Sequence, residues 1–414
     1  MIKKSIYYDL NNTVKKFQST KIRNLYNNLA EGNHKALDIF WDELEKIGSP
    51  LIEEIEGDNK NVMLTFIYKA KGKIKNVVIY GAFPSYRYSE NIMDQLLDSN
   101  LWYKTYKVRN DIKFAYNYSV NDALDDDYEK RYRNFILDEF NPNTIVFPKD
   151  EEDEEDIEEK KSLVKLFNVE VDVWTSTMDH SNKGTIDLHR FKSNILNNSR
   201  RVWVYKPYEY EESNEKNNLI ILTDGFMHIN TLNAINVLDN LMYRDLIPKS
   251  VCVFIDSNNN RVEELAFNKN YGEFITNEIL PWIYNNYNVT TESEKTVICG
   301  VSLGALAASY IALTFPNIFG HVLAQSGSFF WDEEWLIDKY KYSEKMETRF
   351  YLNVGFLEDR PYNNEPIMKD YIDRMKDVLV AKGYDVFYEQ FSSGHDCLSW
   401  GEKLGTGLIA LIGK

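Results

Sequence analysis

Two rhythms of hydrophobic and polar positions divide this chain. Between about residues 30 and 135, aromatic and β-branched residues alternate with polar ones in short runs, separated by Gly, Pro, Asn and Ser. NVMLTFIYKA (61–70), KNVVIYGAF (75–83) and DIKFAYNYSV (111–120) read as strands, because a period of two lays one face on a core. Only 34–47 in this stretch has the spacing of a helix. An all-β, sandwich-like N-terminal domain is expected, covering 1–149. Beyond residue 200 the rhythm changes. Short unbroken apolar runs at 219–222, 251–255, 296–299, 321–324 and 350–354 suit strands buried on both faces. Amphipathic stretches such as 268–287 and 306–315 lie between them. Strands alternating with helices predict βαβ units and a mostly parallel sheet flanked by helices, the α/β class.

Charge adds a boundary. Nine of the ten residues from Asp150 to Glu159 are acidic, which accounts for nine of the sixteen net negative charges on the 414 residues. A block of like charge stays solvated, so 150–161 is expected to be a linker and 162–414 the catalytic domain. The chain has no basic stripe of the kind that binds nucleic acid. No window reaches the ~18 apolar residues that a bilayer requires. The N-terminal MIKKSIYYDLNNTVKK has lysines but no apolar stretch behind them, unlike an export signal. The three cysteines have neither disulfide nor metal spacing. A cytoplasmic protein with no metal and no cofactor is expected, and its oligomeric state is left open.

The chemistry begins at Gly300-Val301-Ser302-Leu303-Gly304, a G-x-S-x-G pentapeptide. Such patterns arise by chance, but here TVIC before it reads as a buried strand and ALAASYIAL after it as a helix. That strand–turn–helix setting projects a serine hydroxyl above a sheet, and the glycines keep the tight turn clear of side chains. In this fold the acid and then the histidine follow the nucleophile in chain order. His395, in FSSGHDCLSW after an expected strand 386–391, takes the last place. Glu358 or Asp359, at the end of RFYLNVGFLEDR, takes the middle one, with Glu358 preferred for its position three residues after Gly355. The oxyanion hole combines the Leu303 N–H with one from Gly225 or Phe226, after the run LIILTDGFMH.

With these residues in view, the chain resembles the enterochelin (enterobactin) esterases. The likeness runs through RRVWVYKP, LIILTDG, RVEEL, EILPWI, GVSLGA, FPNIFGHVLAQSGSFFW, VGFLED and SGHDCLSW in order. It extends upstream to FWDELEKIGSPLIE, MLTFIY and LLDSNLWYKTYKVRNDIKFAYNYSVND, so it covers roughly 35–414. Two departures bear on substrate fit: Ala305 where a glycine is usual, and SGHD in place of GGHD. The resemblance implies an α/β-hydrolase domain behind a sandwich-like domain. It also implies a serine esterase that opens a catecholate siderophore lactone in the cytoplasm to release iron. Ser302 and His395 match the nucleophile and base, and Glu358 the acid. Arg261 resembles a substrate-side residue, although an arginine there can equally tie its loop down through Glu264 or Glu278. Trp331 and Trp400 are candidates to line an aromatic pocket.

A ferric tris-catecholate is an anion and this chain is acidic, so basic groups have to converge near the site. Arg200, Arg201, Arg261 and Arg360 are the candidates. Two alternatives stand beside the siderophore reading. One is a carboxylesterase of the same fold acting on another acyl, sugar or secondary-metabolite ester. The other is a hydrolase-like fold used only for binding. The role of the N-terminal domain is open.

Overall fold

The computed structural model describes residues 18–81, 88–125, 127–179, 182–212, 215–359 and 367–414. The N-terminal MIKKSIYYDLNNTVKK and Arg360 therefore lie outside the described residues. By the density of its contacts the chain divides into two units. Among the described residues, unit 1 holds those up to Glu170 with the short later segment Ser392–Asp396, and unit 2 holds the rest.

Unit 1 contains two four-stranded antiparallel sheets. The strands are β1 (Leu51–Ile55), β2 (Asp58–Lys69), β3 (Val77–Gly81), β4 (Asp94–Gln95), β5 (Leu101–Arg109), β6 (Lys113–Val120), β7 (Thr144–Phe147) and β8 (Glu159–Lys165). One sheet has the order β1-β2-β5-β4 and the other β3-β6-β8-β7. Their inner faces meet through aromatics. The rings of Phe66 on β2 and Tyr116 on β6 cross edge to face at 4.8 Å, and the Tyr118 hydroxyl donates to the Ile67 carbonyl at 3.1 Å. Helices Thr20–Ala30 and Lys35–Ile47 add Ile22, Leu25, Phe40, Trp41 and Leu44 to a core shared with Leu51, Ile67 and Leu101.

The acidic block is not a linker. Its residues form the connection of a hairpin in which β7 and β8 pair from Thr144↔Ser162 to Phe147↔Glu159, and β8 pairs in turn with β6. Ser162–Lys165, expected to open the catalytic domain, thus belong to the sheet of unit 1, and the change of unit falls at Glu170–Val171. The reason is local. A solvated acidic turn joins strands as readily as domains, and the burial of Ser162, Val164 and Leu166 at every second position marks that segment as a strand.

Unit 2 is built on one eight-stranded sheet. It comprises β9 (Thr185–Ser193), β10 (Asn198–Lys206), β11 (Asn218–Leu222), β12 (Ser250–Ile255), β13 (Thr296–Val301), β14 (His321–Gln325), β15 (Arg349–Gly355) and β16 (Asp385–Phe391). The order is β16-β15-β14-β13-β11-β12-β10-β9. Strands β12 through β16 and β11 run parallel, while β9 and β10 join antiparallel at one edge. Every residue of β11, β12, β13 and β14 is buried, which is why those runs read as unbroken hydrophobic stretches. On the edge strand β9, Asp187 and His189 are half-buried and Arg190 and Lys192 are exposed, and such charges blunt an open sheet edge. Helix Leu303–Thr314 is apolar all round and almost wholly buried, as a central helix must be. No helix among the described residues is long and apolar enough to cross a membrane.

Candidate active site

Strand β13 stops at Val301, and Ser302 takes φ 54°, ψ −120° before the helix begins at Leu303. A non-glycine residue in that region is strained, and it persists only where the surroundings hold it. Here the Ser302 N–H donates to the Gln325 carbonyl (2.8 Å), and the Ser302 carbonyl accepts from the N–H groups of Ala305, Leu306 and Ser328. The flanking glycines are required sterically. A Cβ on Gly300 would stand 2.2 Å from the backbone of Gly304, and one on Gly304 would stand 2.4 Å from Thr223 Oγ1. Ala305, one of the departures noted above, is fully buried in the core.

The two expected sources of oxyanion donors each open a helix. The N–H groups in the first turn of a helix have no carbonyl one turn behind them. Leu303 begins Leu303–Thr314, and Gly225 with Phe226 begins Gly225–Asn230, which follows β11. Gly225 backs onto β12 so closely that a Cβ would lie 2.9 Å from the Phe254 carbonyl carbon. Asp224, the residue before it, sits at φ 54°.

Asp224 explains Arg261. The guanidinium binds it in two places, Nε to Oδ1 at 2.6 Å and Nη2 to Oδ2 at 2.8 Å, and the Ser257 hydroxyl adds a bond of 2.5 Å. Burial by itself would raise the Asp224 carboxyl, but Arg261 and Ser257 outweigh it and hold the group below the usual carboxylate range. Arg261 therefore ties down the loop that carries Gly225, and its partner is neither Glu264 nor Glu278. Glu264 is taken by the buried Arg200 (2.6 and 2.9 Å), while Glu278 accepts from Ser193, Asn194 and Ile195. Arg201 bonds Asp256 at 2.6 Å and lies over the ring of Phe226 at 5.4 Å. All three described arginines proposed to greet an anion are thus bonded to carboxylates.

Glu358 and Asp359 differ sharply. Glu358 is 1% exposed, and its Oε1 accepts from the Ser326 hydroxyl (2.6 Å) and the Gly355 N–H (2.7 Å). Asp359 is half-buried, one residue beyond that turn. His395 is half-buried in Ser392–Asp396, the short segment that groups with unit 1. There the Lys113 N–H of β6 donates to the Ser392 carbonyl (2.9 Å), and Ser393 Oγ lies 2.9 Å from the Lys113 carbonyl oxygen and 3.0 Å from both Asp396 carboxylate oxygens.

Trp400 departs from expectation. It is 4% exposed and clusters with Leu232, Val301 and Phe391, and its indole N–H is given to Ser326 Oγ at 3.0 Å. An indole so enclosed lines no pocket. Trp331 stays half-exposed at the start of its helix, its N–H bonded to the Ser328 carbonyl. Two serines that pattern reasoning passed over stand at the exit of β14: Ser326 on the acid, and Ser328, whose Oγ is 3.4 Å from Ser302 Oγ. Their alternation around Gly327 in QSGS was the available signal. No group of three or more metal-ligating side chains occurs among the described residues.

Residues 193–411 match the Esterase family, described as "Putative esterase". Among curated proteins, the iron(III) enterobactin esterase of Escherichia coli (strain K12) is 32% identical over 235 residues, 53% of this chain and 56% of that protein. The chain thus matches little more than half the length of that relative. The iron(III) enterobactin esterase of Dickeya dadantii is 23% identical over 91% of this chain and 93% of its own length. Among solved structures, the enterobactin esterase of Shigella flexneri, determined in the presence of enterobactin, superposes with a TM-score of 0.70 at 23% identity, covering 89% of this chain and 96% of that one. This likeness shows that the two chains share a fold.

Proposed function

The chain belongs to the Esterase family, and from that premise we propose that it is a serine esterase hydrolysing the ester bonds of a catecholate siderophore lactone, releasing iron in the cytoplasm. The observation that carries the reading is the strained Ser302 elbow together with the buried Glu358, both at the carboxyl ends of parallel strands. The names of the two relatives, iron(III) enterobactin esterases, support the substrate class. We read unit 1 as the sandwich-like domain of such an enzyme.

In this mechanism Ser302 Oγ attacks an ester carbonyl while His395 removes its proton. Negative charge on the carbonyl oxygen is met by the N–H of Leu303 and of Gly225 or Phe226, each such donor contributing about 3 kcal/mol to the transition state. His395 returns the proton to the departing alkoxide, so one ester bond is exchanged for an acyl bond to Ser302. Water, deprotonated by His395, then releases the acid and restores the serine. Glu358 orients the imidazole and stabilises its cation. Asp359 is assigned no part in this chemistry. Trp331, half-exposed and bonded through its backbone to Ser328, is the aromatic retained for substrate contact.

One observation favours a second reading. Arg200, Arg201 and Arg261 are all bonded to carboxylates, which removes the expected attraction for an anionic ferric complex and suits a neutral ester or an iron-free lactone. Incubating wild-type and Ser302→Ala protein with ferric and iron-free catecholate lactones and a panel of acyl and sugar esters, read by mass spectrometry, separates the two. Ser302→Ala should lose about 10⁶-fold in kcat and keep its fold. Full activity in that variant ends the esterase assignment, and turnover of other esters alone ends the siderophore reading.

A further inference from the structure

The exit of β14 holds a closed set of buried polar groups that the mechanism above does not use. Gln325 and Asn353 face each other in the register of β14 and β15, both fully buried. Asn353 Nδ2 donates to Gln325 Oε1 (3.0 Å), and Gln325 Nε2 donates to the Trp400 carbonyl (3.0 Å). The Ser326 N–H, from a residue at φ 47°, bonds both the carbonyl (3.0 Å) and Oδ1 (3.2 Å) of Asn353. The backbones of Ser326 and Trp400 are thereby held in place beside Glu358.

The direction of the remaining bonds follows from chemistry alone. An indole N–H can only donate, and an ionised carboxylate can only accept. Ser326 Oγ, bonded at 3.0 Å to Trp400 Nε1 and at 2.6 Å to Glu358 Oε1, must accept the first and give its single proton to the second. Polarisation by the indole strengthens the donation to the carboxylate, since chains of hydrogen bonds reinforce one another where the dielectric is low. The Gly355 N–H reaches the same Oε1 at 2.7 Å. Two donors on one oxygen fix the rotation of the carboxylate about its last bond.

We propose that Ser326 and Trp400 are positioning residues of the esterase, forming a one-way relay from indole N–H to serine hydroxyl to Glu358 that holds Oε1 and leaves Oε2 for the base of the triad. The proposal rests on the reading of Glu358 as the triad acid. It gives Trp400 a role in the catalytic step and none in substrate binding. The relay also accounts for Ser326 keeping a strained φ at a fully buried position, where a β-branched residue would add strain and alanine would remove the hydroxyl that the indole N–H meets.

The test is a pair of mutational cycles on a p-nitrophenyl ester, with Ser326→Ala and Trp400→Phe each made in the wild-type and the Glu358→Gln backgrounds. Trp400→Phe removes the N–H while keeping a large ring, so it reports even where Ser326→Ala fails to fold. Ser326→Ala should lower kcat about 10- to 100-fold with KM within about twofold, and Trp400→Phe should do the same to a smaller extent. In the Glu358→Gln background each should change kcat less than about twofold, because the relay acts only through the carboxylate. Equal losses in both backgrounds, or a loss carried in KM, overturn the relay and leave the triad standing. If Glu358→Gln alone retains kcat, the triad reading falls and takes the relay with it.

Discussion

Replacing Arg261 by Met would leave Asp224 a buried carboxylate without its cation while keeping most of the arginine stem's packing. Asp224 is 4% exposed and receives two bonds from Arg261, whose side chain is 35% exposed. Breaking a fully buried pair by removing one partner costs about 3–5 kcal/mol, and the solvent reaching Arg261 screens part of that, leaving about 2–4 kcal/mol. For a unit of this size the melting temperature should then fall by roughly 5–15 °C. The pH dependence has a definite sign. In the wild type the Asp224 carboxyl is depressed, so its stabilisation is present above the unfolded value near ~3.9 and is lost only as pH falls through the lower folded value. In Arg261→Met, burial without the guanidinium raises the carboxyl above that unfolded value. Acidification then neutralises the misplaced charge, and the deficit against wild type shrinks between neutral pH and about pH 5. Differential scanning calorimetry at the two pH values measures this. A melting temperature equal to wild type, with a rise in KM confined to anionic esters, would show that Arg261 serves the substrate and does not hold the loop.

Three further outcomes follow from the same geometry. Glu358→Gln should reduce kcat by about 10³- to 10⁴-fold, while Asp359→Asn should leave it near wild type, as steady-state kinetics on one ester will show. Gly300→Ala forces a Cβ against the Gly304 backbone, which cannot swing aside, so soluble yield should collapse or thermal stability fall by about 3 kcal/mol. Ser393→Ala frees the buried Lys113 carbonyl that anchors the histidine segment; kcat should drop about tenfold with little change in KM, and an unchanged kcat would detach that anchor from catalysis.

The folded unit explains why the acidic chain has few arginines to spare. Each arginine near the proposed chemistry neutralises a carboxylate that the fold has buried: Glu264 by Arg200, Asp256 by Arg201 and Asp224 by Arg261. These pairs stabilise loops around the sheet's carboxyl edge.

Much of this was legible along the chain. Buried parallel strands announce themselves because both faces need apolar side chains, so 219–222, 251–255 and 296–299 mark β11, β12 and β13 almost to the residue. The elbow was legible for a related reason: its geometry admits only small flanking residues, and that restriction survives as G-x-S-x-G. Chain order then put His395 forward as the base and left Glu358 or Asp359 for the acid. The rest depended on pairings that leave no periodic trace. Nothing in RVEEL specifies Asp224 as the partner of Arg261, 37 residues away, and nothing in CLSW says that the Trp400 indole will meet Ser326. A hydrogen bond between distant segments is set by where the sheet delivers each side chain, and sequence records only that a donor and an acceptor exist. The acidic block shows the same limit from the other side. Composition determined that it is solvated, but only the pairing of β7 with β8 decided that it turns a hairpin and does not join two domains.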